Sequence, residues 1–375
     1  MTNFFLFNSL GALLLLTFLS VFNVRNVNKK GNIWFGFFCF SVFLILFEEE
    51  LYILKIESEL FLAISNLAAF FIAPTFYLSV VYFVNPLKKW KFKDNLHFSF
   101  PIFFVIFLIF EYFLNISVFN TNLNESEPTQ LFSILFLILF DIQLITYSYF
   151  SFKKVVSHQK NIRIFSSNVE NLDLQWLKNV IIGVGILFIF WIIAMIIYSS
   201  IIDLYLFIAV FIVVYFIAFY TLKQKEIYPF IIEDQNNIIT ILEETVSNKD
   251  PLEKKKLITD EKFNDVKAQL LNYMQTERPY LESELSLIKL SKYLNTTAHI
   301  LSYVINSGFD ESFYQFINKY RIEEAKKFIT DPKMNHLSIL GIGFEVGFNS
   351  KSVFNTIFKK NTGLTPTEFK KTTLK

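Results

Sequence analysis

At 375 residues, with mean hydropathy +0.42 and a formal net charge of +2, the chain has room for two domains, and these averages conceal two unlike halves. The first ~220 residues are rich in Phe, Ile and Leu with few charges, whereas the remainder has the composition of a soluble domain. The single Cys39 excludes an intramolecular disulfide and implies no oxidising compartment.

A bilayer core takes ~20 mainly apolar residues per helix. Seven stretches meet that length: Phe4–Phe22, Ile33–Leu54, Leu60–Val84, Phe98–Phe119, Leu131–Phe152, Leu177–Tyr198 and Ile201–Leu222. Glu48, Glu49 and Glu50 interrupt the distal end of the second, and Pro74 is expected to kink the third. The first is not expected to be a signal peptide, because no Lys or Arg precedes it and no small-x-small cleavage site follows. Basic residues gather after the odd-numbered spans: Arg25, Lys29 and Lys30; Lys88, Lys89, Lys91 and Lys93; then Lys153, Lys154, Lys160, Arg163 and Lys178. The alternate loops hold Lys55 alone, with none in Asn120–Gln130 or Ser199–Ser200. By the positive-inside rule the N-terminus lies outside and the chain from Lys223 onward is cytoplasmic, so the expected location is the inner (cytoplasmic) membrane, multi-pass, with the lipid bilayer as a partner.

A charged carboxylate in mid-span costs roughly 2.5–3.5 kcal/mol on insertion scales, which singles out Asp141 in the fifth span. Glu111, with Tyr112 and Asn115, lies in the outer half of the fourth, Asn66 in the third and Asp203 near the outer end of the seventh. Two readings stay open. Asn66, Glu111 and Asp141 line a cavity that senses an unknown ligand or stimulus from outside, or they form interhelical hydrogen bonds that only fix the bundle.

From Lys223 to Leu257 the charge is mixed, with Pro229 and Asn248-Lys249-Asp250-Pro251 as breakers, which reads as a juxtamembrane linker with a helix over Ile231–Val246. A helix then opens at Thr259 or Asp260 and places Phe263, Val266, Leu270 and Met274 on one face, either to pack on the following domain or to pair with a second copy.

Next come two units of the same grammar. Ser286 is the expected cap of a short helix with a buried Leu287, Leu290, Leu294 stripe, and Asn295 takes a left-handed turn. Thr296 or Thr297 caps a second helix that buries Leu301, Val304 and Ile305 and exposes Ala298, His299, Ser302, Tyr303 and Asn306. Exposed positions near the start of such a helix are those that reach base edges. A long helix follows, with Phe316, Tyr320, Ala325 and Phe328 inward, ended by Asp331-Pro332. The second unit opens at Ser338, buries Ile339, Ile342 and Val346, and turns at Gly347-Phe348. Ser350 is the expected cap of the last recognition helix, which buries Val353, Phe354, Ile357 and Phe358. Its exposed face carries Lys351, Ser352, Asn355 and Thr356, with Lys359 and Lys360 placed for phosphates. From Pro279 to Lys375 there are 13 Lys and Arg against 9 Asp and Glu, a basic excess that ordinary soluble domains share.

This ordered set (LSLIKLSKYL with LSYVIN, FINKYRIEEAKKFI, and GFNSKSVFNTIFKKNTGLTP) resembles the AraC/XylS family of bacterial transcription regulators over about Pro279 to Lys371. The resemblance implies an all-α domain of two helix-turn-helix subdomains joined by a long helix, presenting two recognition helices to successive major grooves of double-stranded DNA. By position, His299, Ser302 and Tyr303 would contact DNA from the first unit, and Lys351, Ser352, Asn355 and Thr356 from the second. Asp310 stands where the family usually has Gly, and Gly343 where Ala is usual; with Gly341 it weakens its helix by ~0.8–1 kcal/mol per Gly.

Of the four histidines, His97, His158, His299 and His336, none lies in Gln159–Ala298, so the phospho-accepting His that a sensor kinase needs after the membrane is missing there, which argues against that class. There is no P-loop, Gly-rich nucleotide loop or His/Cys metal cluster, so no catalysis, cofactor or metal is expected. The expected organisation is all-α: a seven-helix transmembrane bundle over 1–222, a linker over 223–257, and a DNA-binding domain over 258–375 with its core in 279–371. The expected function is membrane-anchored, sequence-specific transcription regulation by a homodimer that couples a signal at the membrane to gene expression. The alternatives are a receptor or transporter whose C-terminal domain binds protein, and a passive anchor from which the C-terminal part is released by proteolysis.

Overall fold

The computed structural model describes residues 2–24, 27–56, 58–86, 88–114, 127–169, 172–197, 199–224 and 257–373. Among these the chain is helical without a strand, and one antiparallel bridge joins Ser166 to Ser286. Most of the expected linker, with its helix over 231–246, and the distal end of the fourth expected span, including Asn115, lie outside the described residues.

Among the described residues seven helical spans are long and apolar enough to cross a membrane. They fall in α1 (Thr2–Val21), α2 (Lys29–Ile53), α3 (Glu59–Val84), α4 (Ser99–Leu114) together with the 3-10 helix Phe92–Phe98 that leads into it, α5 (Glu127–Phe165), α6 (Gln175–Ile196) and α7 (Ser200–Lys223). Helix α2 runs unbroken through its three glutamates, and α1 packs on α2 and α7, α2 on α3, and α6 on α7. At Gly36 a Cβ would come within 2.6 Å of Val21 Cγ2, so only a glycine lets α1 and α2 approach this closely. Phe7, Leu14, Ile106, Phe110, Ile189 and Ile212 point outward, so these helices are apolar on their exposed faces as well as their packed ones.

Pro74 sits inside α3 without ending it. Proline has no N–H to give to the carbonyl four residues earlier. That carbonyl, Phe70 O, instead accepts from Gln143 Nε2 of α5 at 3.3 Å, and Thr75 Oγ1 donates back to Phe71 O at 2.6 Å. Side chains from a neighbouring helix and from the next turn thus replace what the proline removes. Helix α5 has 39 residues and is ~58 Å long, nearly twice the ~30 Å hydrocarbon core. It continues from Phe152, where apolar composition predicts its end, to Phe165.

The chain divides into two compact units. The first holds Met1–Ser157 and Leu174–Ile227; the second holds the C-terminal part of the chain together with His158–Asp173, the end of α5 and the segment after it. In the second unit α8 (Asp260–Thr276) buries Val266, Leu270 and Met274. It is followed by α9 (Leu287–Tyr293), α10 (Ala298–Phe309), α11 (Phe313–Thr330), α12 (Ile339–Glu345), α13 (Lys351–Thr362) and α14 (Pro366–Thr373).

Candidate nucleic-acid interface

Local chemistry sets the boundaries of the first helix-turn-helix unit. Ser286 accepts from Lys289 N at 3.2 Å to start α9, Asn295 takes φ 48° in the turn, and Thr297 accepts from Ile300 N at 3.2 Å to start α10. Asp310 closes α10 in the left-handed region at φ 55°, a conformation that Asp tolerates in place of Gly. Leu287, Leu290, Leu301, Val304 and Ile305 are fully buried between α9 and α10.

The expected exposed face of α10 needs correction at two positions. Ala298 and Ser302 are buried, at 7% and 6% exposure. With Leu301 and Ile305 they fall at the i, i+3, i+4, i+7 spacing of one helix stripe, and their small side chains let α10 pack closely on α9. Ser302 Oγ accepts from Asn306 Nδ2 at 3.3 Å. His299 is half-buried, Asn306 is exposed, and Tyr303 is half-buried in an edge-on contact with Phe263 of α8 at 5.8 Å. Lys267 of the same helix donates to Gly308 O at 3.1 Å, so α8 packs along α10.

The long α11 opens with a capping box in which Ser312 accepts from Gln315 N and Gln315 Oε1 accepts from Ser312 N. It ends before Asp331, whose carboxylate accepts from Lys333 N at 2.9 Å. In the second unit Ser338 accepts from Gly341 N at 3.0 Å to start α12. Gly347 then turns the chain at φ 97°, where a Cβ would lie 2.7 Å from Tyr280 O. Ile342, Val346, Phe348, Phe354 and Phe358 form the core with Ile322, Ala325 and Ile329 of α11. Ser350 occupies the cap position of α13 but makes no cap bond; its hydroxyl lies 2.8 Å from that of Ser352. Lys351, Ser352, Thr356, Lys359 and Lys360 are exposed and Asn355 is half-buried.

Sequence reasoning missed the polar junction between the units. Arg321 of α11 is 1% exposed and lies over the Phe348 ring at 5.7 Å. Its Nε donates to Tyr280 O and its Nη2 to Glu282 O, both at 2.7 Å, and its Nη1 to Asn318 Oδ1 at 3.3 Å. Burial lowers its pKa to about 10, which leaves the guanidinium charged at neutral pH. Beside it the buried Glu324 receives Arg278 at 3.1 Å and Lys327 at 3.0 Å, and Asn349 Nδ2 donates to Glu284 Oε1 at 2.9 Å. The sequence did hold one signal: Arg321 falls in the Ile317–Ala325–Phe328 stripe, a charge in an apolar register.

In the first unit, Asn66 of α3 and Asp141 of α5 are half-buried, and Glu111 lies in α4. Among the described residues Asp141 Oδ1 is buried without a hydrogen-bond partner. The space between α3, α4 and α5 is filled by Phe70, Phe104 and Phe136. A mainly apolar pocket lies elsewhere in this unit, lined by Phe38, Phe76, Tyr147 and Ile181 among others.

A family described as "Helix-turn-helix domain" matches residues 290–372, which spans both units from α9 to α14. An "uncharacterized HTH-type transcriptional regulator in cgkA 5'region" of Pseudoalteromonas carrageenovora is 43% identical over 56 residues, 15% of this chain and 31% of that protein. The chain thus spans about a third of the length of this curated relative. No solved structure matches. The C-terminal region carries a helix-turn-helix domain, and the membrane-length helices lie outside the matched stretch.

Proposed function

We propose that this chain is a membrane-embedded, sequence-specific transcription regulator of the AraC/XylS type, with its DNA-binding domain in the cytoplasm. The observation that carries this reading is a pair of helix-turn-helix units built on one long helix, within the matched region and in the same chain as seven membrane-length helices. Positive-inside charges put the C-terminal region on the side where DNA is. The exposed and half-buried faces of α10 and α13 supply the contacts: His299, Tyr303 and Asn306 from the first, Lys351, Ser352, Asn355 and Thr356 from the second. Lys359 and Lys360 meet phosphates, and the uncapped start of α13 offers backbone N–H groups to the DNA backbone. Ala298 and Ser302 shape α10 from beneath instead of touching bases.

Two copies on neighbouring half-sites bind with avidity, and the membrane module changes their pairing in response to a stimulus. A change of only ~1–3 kcal/mol in that pairing shifts occupancy roughly 5–150-fold.

The test uses the full chain in lipid nanodiscs, mixed with sheared DNA from its own genome at ~0.15 M salt with competitor DNA, because non-specific phosphate binding fades with salt. A few strongly enriched sites with paired half-sites are expected. Alanine at Ser352, Asn355 and Thr356 together should abolish enrichment while the helices remain folded, since each lost base contact costs ~1–3 kcal/mol. Folded protein that enriches nothing, or a triple variant that enriches the same sites, would sink the proposal.

A further inference from the structure

The second unit contains a segment that the sequence assigns to the loop between the fifth and sixth spans, His158–Asp173. It does not lie loosely on the surface: Ile162, Phe165, Ser167 and Val169 are all buried. Ser166 pairs with Ser286 in the antiparallel bridge. Ser167 N and Oγ both donate to Leu285 O, at 3.3 and 2.6 Å. Arg163 lies over the Tyr314 ring of α11 at 5.6 Å. Within the segment, His158 Nε2 lies 2.8 Å from Leu172 O, which ties its two ends together.

The decisive contact is with Arg321. A guanidinium has five N–H donors. Tyr280 O, Glu282 O and Asn318 Oδ1 take three, and Ser167 takes the other two: Nη1 donates to its carbonyl at 3.3 Å and Nη2 to its hydroxyl at 3.1 Å. The junction between the two helix-turn-helix units is therefore completed by a residue 154 positions away in sequence. None of the segment's bonds just given involves a residue proposed to touch DNA, so the segment braces the units without covering their recognition faces.

We propose that the Arg321 junction is a docking site for the chain's own 158–173 segment, and that this contact carries movements of α5 and α6 to the helix-turn-helix pair. The coupling half of this inference rests on the DNA-binding reading; the docking half does not. Helix α5 runs without a break into the docked segment, so a shift or rotation of that helix draws on Ser167 directly. The segment between α5 and α6 is then the control element.

Full-length protein in lipid nanodiscs, with Cys39→Ser as background, tests the docking. Directly opposed residues in an antiparallel pair lie within disulfide range, at about 4.5–5.5 Å between Cα atoms. The Ser166→Cys/Ser286→Cys pair should form an intrachain disulfide under mild oxidant, and neither single variant should. Because Ser286 also caps α9, a second variant leaves it intact. Ser167→Pro removes the N–H and hydroxyl that hold Leu285 O, and should speed amide exchange over 279–287 and around Arg321 about tenfold. A pair that stays reduced, or unchanged exchange in Ser167→Pro, overturns the docking. For the coupling, Ser167→Pro should bind the enriched DNA about tenfold more weakly than the parent, with the oxidised pair as tight as the parent. Equal binding by Ser167→Pro and the parent overturns the coupling. A parent that enriches no DNA strikes the proposed function, while the disulfide and the exchange rates still decide the docking.

Discussion

Gly341 and Gly343 share one short helix, and to the sequence both are helix-weakening residues. Their surroundings separate them. A Cβ on Gly341 would meet Ser338 Oγ at 3.4 Å and Leu337 at 3.7 Å, ordinary contacts, so Gly341→Ala should gain up to ~1 kcal/mol of helix propensity. A Cβ on Gly343 would lie 2.8 Å from the ring of Phe354, which is 1% exposed and has nowhere to retreat. Overpacking of that kind costs ~1–3 kcal/mol, so Gly343→Ala should be net destabilising despite the same propensity gain. Amide-exchange protection of α12 and α13 in the full chain reads both; equal effects would show that Phe354 relaxes freely. The same lesson applies at Ala298 and Ser302. Their spacing with Leu301 and Ile305 was visible in the sequence, but a small or polar side chain does not announce burial as a leucine does.

Among elements, the caps were the most legible part. Ser286, Thr297 and Ser338 start their helices as their chemistry requires, and Asn295, Asp310 and Gly347 take the left-handed conformations that end or turn them. Ser350 looks equally suited but bonds Ser352 instead, a choice between two near neighbours that composition cannot decide. The run of α3 through Pro74 was legible in its apolar length, but the group that satisfies Phe70 O was not, because it sits on another helix. Gln143→Leu should leave Phe70 O buried without a donor at a cost of ~1–3 kcal/mol. Adding Pro74→Ala restores a backbone N–H to that carbonyl, so the double variant should recover most of the loss. Thermal unfolding of the four proteins in detergent forms the cycle; strictly additive losses would show that Gln143 acts elsewhere.

For the whole molecule, the seven long apolar helices and the helical C-terminal region were legible in composition and periodicity, since apolar runs and charge clusters are local. The bonds from Ser167 to Leu285 and Arg321 span 118 and 154 positions and leave no local pattern to read. They bear on how the C-terminal region behaves when it is cut away from the rest. A fragment from Leu257 to Lys375 keeps Tyr280, Glu282 and Asn318 around Arg321 but lacks Ser167, so two donors of a buried charge lose their partners. Opening the junction to water satisfies those donors but gives up apolar contact around Phe348, and either course costs ~1–3 kcal/mol. The fragment should therefore unfold in urea more readily than the same residues within the full chain. A synthetic peptide of residues 158–173 added in trans should raise its midpoint with concentration, reaching ~2.7 kcal/mol at a hundredfold excess over Kd. The same peptide carrying Ser167→Ala keeps its backbone bonds and loses the hydroxyl, so it should need a higher concentration for an equal effect. If neither peptide moves the midpoint, the fragment completes its own junction, and the stability of the helix-turn-helix region is independent of the rest of the chain.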